Sequence, residues 1–189
     1  MDLWEAISGR RSVRDFLPDP VSEDELKRLL EALAWAPSPL NQQPWSVVAI
    51  TDPAQKSAIR QVAEEARALV LSLGGPSWVG KYSPAFLEQA PLLLAVIHDP
   101  AKGGLGINFN QPHGSLAATA AGVQNLLLAA HAMGLGGVWF TFFDPARMRP
   151  VLGVPEWLEL AGIVCLGRPA KPGPVLPRKP VTVHRQRMT

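Results

Sequence analysis

The chain has 189 residues, 47% of them apolar and 18% charged, with a formal net charge of +2. That apolar content supplies a packed core and excludes a disordered chain, and the near-neutral balance excludes bulk binding to nucleic acid. A single cysteine, Cys165, excludes an intramolecular disulfide and fits a reducing, cytoplasmic location.

In chain order, Asp2 to Ser8 predicts a short helix with Leu3, Ala6 and Ile7 on one face, ended by Gly9. An arginine-rich stretch, "RRSVRDF" (10–16), follows. Ser22 and Glu25 form a capping box ahead of Leu26, Leu29, Leu30 and Leu33, so a helix is expected to about Ala36. Pro37 and Pro39 stop it and open the loop "APSPLNQQPW" (36–45). "WSVVAI" (45–50) reads as a buried strand. Asp52-Pro53 starts a helix running to about Leu73. Residues 75–90 read as irregular or briefly helical, and "PLLLAVIH" (91–98) as a second buried strand. The glycine-rich piece 100–113 reads as a mobile segment.

The long helix over 114–134 is apolar on nearly all sides, which calls for burial all round, most simply against a partner subunit. "GGVWFTF" (136–142) reads as a third strand. Asp144-Pro145 opens a helix closing near Gly153, and "LELAGIVCLG" (158–167) reads as a fourth strand. The proline-rich, basic tail 168–189 reads as an extended arm. Two helices precede any strand, so there is no clean βαβ alternation. No apolar run nears the roughly 20 residues of a membrane helix, and the N-terminus lacks a signal pattern.

Arg10, Ser12 and Arg14 alternate, so they share one side if the backbone is extended. Arginine grips phosphate with parallel N–H donors, and "PRKP" (177–180) offers a second basic group. A solvated basic turn is the plain alternative. Ser38, Asn41, Gln42 and Gln43 supply amides and a hydroxyl of the kind that bonds the edge of a planar heterocycle; an Asn-rich turn joining helix to strand is the plain alternative here. "GPSWVGKY" (75–82) misses a phosphate-binding loop, because Tyr82 stands where Ser or Thr would hold magnesium and a helix precedes it. No G-x-G-x-x-G is complete. The four histidines are too dispersed for a metal site, and Cys165 sits in a buried strand where a structural role is expected.

Together these segments resemble the nitroreductase family of FMN-dependent oxidoreductases. "RRSVRDF" is similar to its phosphate-binding opening and "APSPLNQQPW" to its ring-binding loop. "GVQNLLLAAHAMGLGGVW" (122–139) is similar to its central helix and following strand, and "LGRP" with "PRKP" to its end. The resemblance spans Met1 to about Val183. It implies one α+β domain over 1–189 with a central, mostly antiparallel sheet flanked by helices. It also implies a homodimer with an extended C-terminal arm and two FMN sites at the interface. Arg10, Ser12 and Arg178 would hold the FMN phosphate, with Arg11 nearby and Arg14 toward the ribityl chain or pyrimidine edge. Pro37, Ser38, Asn41 and Gln43 would line the ring, some of them from the partner subunit. Backbone N–H groups near Thr141 and Phe142 would face flavin N5, and Gly136 and Gly137 would let the backbone come close.

NADH or NADPH would donate the hydride through N5, and a nitroaromatic, quinone or similar small acceptor would take it up, in ping-pong order. Flavin carries such chemistry, so no catalytic side chain is required beyond a tuning role for Arg14. One departure from the pattern is Pro39 in place of the loop's second serine. Flavin fragmentation to a benzimidazole, dehydrogenation, dehalogenation and non-catalytic flavin binding are the alternatives on the same fold. A basic surface for an acidic partner is a further one, suggested by the tail.

Overall fold

The structure is a computed structural model and describes residues 1–186. Four antiparallel strands form one sheet in the order β1-β2-β4-β3: β1 Trp45–Ile50, β2 Leu92–His98, β3 Gly136–Phe140 and β4 Glu159–Gly167. β2 is buried along its whole length. Its side chains alternate between two cores, as the period of a strand dictates. Leu93, Ala95 and Ile97 enter one core with Ile50, Phe140 and Ile163. Leu92, Leu94 and Val96 enter the other with Leu29, Leu126 and Leu166.

The first core is covered by α3 (Pro53–Ser72), the short α5 (Phe86–Gln89) and α7 (Pro145–Leu152). The second is covered by α2 (Glu23–Ala34) and α6 (Gly114–Ala132). The result is an α+β sheet with helices on both faces. α1 (Leu3–Gly9) packs against α6, and α4 (Trp78–Lys81) adds one turn after α3. The starts follow the chemistry of the sequence. Ser22 and Glu25 close their capping box, and Asp52 and Asp144 cap helices whose first residue is proline.

Several expectations are corrected. α2 stops at Ala34, because Trp35 caps it ahead of Pro37. β1 is an edge strand with only Ile50 buried, since among the described residues no strand pairs beyond it. β3 ends at Phe140, and Thr141 and Phe142 lie in a turn where Phe143 N–H donates to the Thr141 carbonyl at 3.1 Å. Only Ala6 of α1 is buried; Leu3 and Ile7 face outward. Within one chain α6 keeps one face open, the face that the expectation gives to a partner subunit. Its outer stripe of Ala117, Ala120, Ala121, Gln124 and Leu128 is exposed or half-buried.

The segment 100–113 has regular local structure, two 3₁₀ turns over Pro100–Lys102 and Gly104–Phe109. Residues 75–82 carry only the single turn α4, so no phosphate-binding loop forms there. The tail after Pro169 has no helix or strand through Gln186 and is largely exposed. Its last three residues lie outside the described residues.

Candidate functional site

The arginine stretch is drawn into the sheet by backbone pairing. Ser12 bridges Gly137 of β3, and Val13 N–H donates to the Gly137 carbonyl at 3.1 Å. This fixes an extended run along the free edge of β3 and buries Val13. Arg10, Arg11, Ser12, Arg14 and Arg178 then line one cavity of about 150 Å³, closed by Pro174 and Leu176 of the tail. The two basic segments of the chain do meet.

Among the described residues no carboxylate pairs with any of these four guanidinium groups. Burial, then the charges of Arg178 and Arg11, hold Arg10 below its ordinary guanidinium range. Arg11 spends one terminal nitrogen on the Ser8 carbonyl at 2.6 Å and the Arg10 carbonyl at 2.8 Å, while its buried Nε has no partner. Uncompensated cations and an orphaned buried donor fit a phosphate-sized anion. A larger cavity of about 470 Å³ shares Arg10 and Arg11 and is walled by Val13, Leu127 and Leu135. It lacks Ser12 and Arg178, which line the smaller cavity.

Arg14 lines the smaller cavity and also meets aromatic side chains. Its guanidinium lies 6.0 Å from the centroid of Phe86, next to a cluster of Tyr82, Phe142 and Trp78. Thr141, exposed, begins the turn that carries Phe142. Sequence reasoning missed this aromatic cluster, because Trp78 and Tyr82 sit in a stretch that has no periodicity.

Gly136 and Gly137 have a packing role. A Cβ on Gly136 would stand 2.7 Å from Val13 Cγ2, and one on Gly137 would stand 2.9 Å from Leu127 Cδ2. Their bareness lets the arginine stretch and α6 close onto β3.

The 36–45 loop is compact and strained. Leu40, Asn41 and Gln43 all have positive φ. Ser38 Oγ accepts the Gln43 N–H at 3.0 Å, and Gln43 Nε2 donates to Asn41 Oδ1 at 3.3 Å. Pro37 and Ser38 face the start of α6 across an open cavity, while Asn41 and Gln43 face Trp35. Gln42 points elsewhere: its Oε1 accepts the Gly104 N–H at 3.0 Å.

Within one chain the loop does not reach the arginines. Pro39 lies against Gly114 at the start of α6, and Gly9 lies against His131 at its end. Those ends are separated by about 25 Å at 1.5 Å per residue. Loop and arginine cluster therefore occupy opposite ends of the same helix.

The scaffold is α+β, with an arginine cluster that no carboxylate among the described residues pairs and a separate polar, proline-rich loop. The family model described as "Nitroreductase family" matches residues 7–168, and the chain belongs to that family. It is 33% identical to 5,6-dimethylbenzimidazole synthase of Rhodobacter capsulatus, over 88% of this chain and 83% of the relative. It is 32% identical to NADH dehydrogenase of Thermus thermophilus, over 92% of this chain and 89% of the relative. A crystal structure of oxidized iodotyrosine deiodinase bound to FMN and 3-iodo-L-tyrosine superposes with a TM-score of 0.86 at 27% identity, covering 99% of this chain and 100% of that one.

Proposed function

We propose that the chain is an FMN-dependent NAD(P)H oxidoreductase that reduces small acceptors such as nitroaromatics or quinones, acting as a homodimer with two sites. The observation that carries this reading is the meeting of Arg10, Arg11, Ser12 and Arg178 around one cavity without a counter-carboxylate. Bound there, FMN would supply two-electron redox chemistry between a nicotinamide donor and the acceptor.

The chain's own residues bind and orient. Arg10, Ser12 and Arg178 take the phosphate, with Arg11 supporting them from below. Arg14 brings a positive charge to the side where Tyr82 and Phe142 form an apolar floor. A cation in that place favours negative charge on a bound ring and raises its potential. Pro37, Ser38, Asn41 and Gln43 line the ring from a second copy, because their own chain holds them at the wrong end of α6. The likeness to the Thermus NADH dehydrogenase supports the nicotinamide donor.

A second reading, reductive dehalogenation of an aromatic substrate, is favoured by the full-length likeness to iodotyrosine deiodinase. The test is anaerobic. Purified protein reconstituted with FMN is titrated with NADH and NADPH while the visible absorption band is followed. Either acceptors or 3-iodo-L-tyrosine are then added. Bleaching by a nicotinamide and recovery with a quinone or nitroaromatic is expected. Bound flavin that neither nicotinamide bleaches overturns the reductase reading. Recovery with iodotyrosine alone, with release of iodide, selects the second.

A further inference from the structure

The cavity of about 470 Å³ shares Arg10 and Arg11 with the anion grip, yet the flavin reading gives it no ligand. Its floor is the buried Val13, Leu127 and Leu135. Its roof is the first stretch of the tail, pinned on both sides. Ala170 N–H donates to the Asp15 carbonyl at 3.0 Å, and Lys171 pairs with the Asp15 carboxylate at 2.9 Å. At Gly173 the tail lies so close to the arginine stretch that a Cβ would stand 2.7 Å from Arg11 Cβ and 2.9 Å from the Ser12 carbonyl oxygen.

The charged side chains on its wall are of one sign. Arg10 and Arg11 line it, with His131 as a further N–H donor. Among the described residues none of these three makes an ion pair, and no Asp or Glu lines the cavity. Arg11 spends only Nη1 on carbonyl groups of the chain. Arg10 already feels the charges of both Arg178 and Arg11.

A volume of this size is that of a small-molecule pocket. An apolar floor beside unpaired cations complements an amphipathic anion. The floor takes a hydrocarbon body, and a guanidinium takes a carboxylate through parallel N–H donors.

We propose that this cavity binds a small monocarboxylate with an apolar body, and that the bound carboxylate loosens FMN because both anions draw on Arg10 and Arg11. The binding stands on the cavity alone, while the coupling rests on the phosphate reading above. Coupling between two sites is reciprocal, so FMN loosens the carboxylate by the same factor.

The test uses the full-length chain, flavin-free and FMN-loaded, titrated calorimetrically with octanoate, naphthoate, acetate and octanol. Octanoate and naphthoate carry a flexible and a flat body on one head group, and the tighter of the two gives the shape of the ligand. That ligand is expected to bind about ten-fold or more tighter than acetate, which lacks the body. The same margin is expected over octanol, which lacks the charge.

Substitutions at Ala170 locate the site, because this exposed residue lines the larger cavity and not the smaller one. Ala170→Glu is expected to weaken the carboxylate about ten-fold, and Ala170→Lys to tighten it. Saturating octanoate is expected to weaken FMN about five-fold or more, read as fluorescence of released flavin, and to leave riboflavin unchanged.

No binding by the wild-type chain overturns the proposal, as does binding that both Ala170 variants leave unchanged or weaken alike. Binding that strengthens as the protein is diluted places a second copy in the cavity and overturns it too. Octanoate that binds without loosening FMN overturns the coupling. A wild-type chain that binds octanoate but takes up no FMN overturns the flavin reading and leaves the carboxylate site standing.

Discussion

His98 Nδ1 lies 3.0 Å from Ser115 Oγ, a buried hydrogen bond that ties the end of β2 to the first turn of α6. The same end of α6 carries the loop and turn described above. His98 Nε2 also lies 3.5 Å from Glu159, and Asp99 is the next residue in the chain. Both carboxylates favour the imidazolium, but burial outweighs them and holds His98 below its ordinary range. The folded state therefore binds the proton less readily than the unfolded chain. The unfolded histidine titrates near pH ~6.5, so the stability contributed by neutral His98 is complete above that value and falls as pH drops toward the folded pKa. The expected outcome is a urea midpoint that declines from about pH 6.5 downward in wild type and declines less steeply in His98→Gln. The difference between the two isolates His98 from His113, His131 and His184. Identical slopes would remove His98 from the account.

The anion grip makes a second prediction. Arg178 reaches the cavity from the tail, 168–189, while Arg10 and Ser12 reach it from the other end of the chain. A hydrogen bond to a charged group is worth about 1.5–3 kcal/mol, or about ten- to 150-fold in affinity. Arg178→Ala is expected to weaken FMN by that factor and to leave riboflavin, which has no phosphate, unchanged. Fluorescence titration with the two flavins measures it. Equal losses for both would show that Arg178 does not hold the phosphate.

The fold was legible in the sequence where local chemistry acts alone. Ser22-x-x-Glu25, Asp52-Pro53 and Asp144-Pro145 each start a helix as their capping chemistry requires, and "PLLLAVIH" has a run of apolar residues suited to a strand buried on both faces. The meeting of Arg10 with Arg178 was legible too, because both segments are basic and the family pattern joins them. Three features were not. The edge position of β1 depends on strand order, which no residue within 45–50 encodes. The partner of Gln42 is the Gly104 backbone, and a backbone donor carries no sequence signature. Gly136 and Gly137 were expected to let the backbone come close to the flavin, and their tight contacts with Val13 and Leu127 join residues far apart in the chain, which the sequence does not display.

Gly162 makes a third prediction. β2 and β4 slip register between Val96 and Ile97, leaving Ala161 as the extra residue, and Gly162 follows it at φ +142°. The bulge brings the Ala161 carbonyl to Trp139 Nε1 at 3.1 Å. A Cβ at 162 would press into the Trp139 indole and stand 2.9 Å from the Phe140 carbonyl. Gly162→Ala is expected to cost about 2 kcal/mol or more, lowering Tm by about 4–8 °C. Differential scanning calorimetry of the holoprotein checks it, and an unchanged Tm would mean that the bulge relaxes freely.

The outer stripe of α6 makes the last prediction. The helix has no Asp, Glu, Lys or Arg, and Ala117, Ala121, Gln124 and Leu128 recur at helical spacing on its open side. Small residues let two such helices approach closely, and nearby Leu3, Trp4 and Trp35 are each more than 70% exposed. A charge placed in that stripe would be buried without a partner on both sides of a two-fold axis, costing several kcal/mol for each copy. Ala121→Glu is therefore expected to shift the protein from dimer to monomer in light-scattering measurements. Because the 36–45 loop and the arginine cluster sit at opposite ends of α6, which is about 25 Å long between them, the monomer is also expected to lose most of its affinity for FMN. The two losses should follow one concentration dependence, since a single association creates both the interface and the site. A monomeric variant that binds FMN as tightly as wild type would show that one chain closes the site alone, and the role of the second copy would be withdrawn.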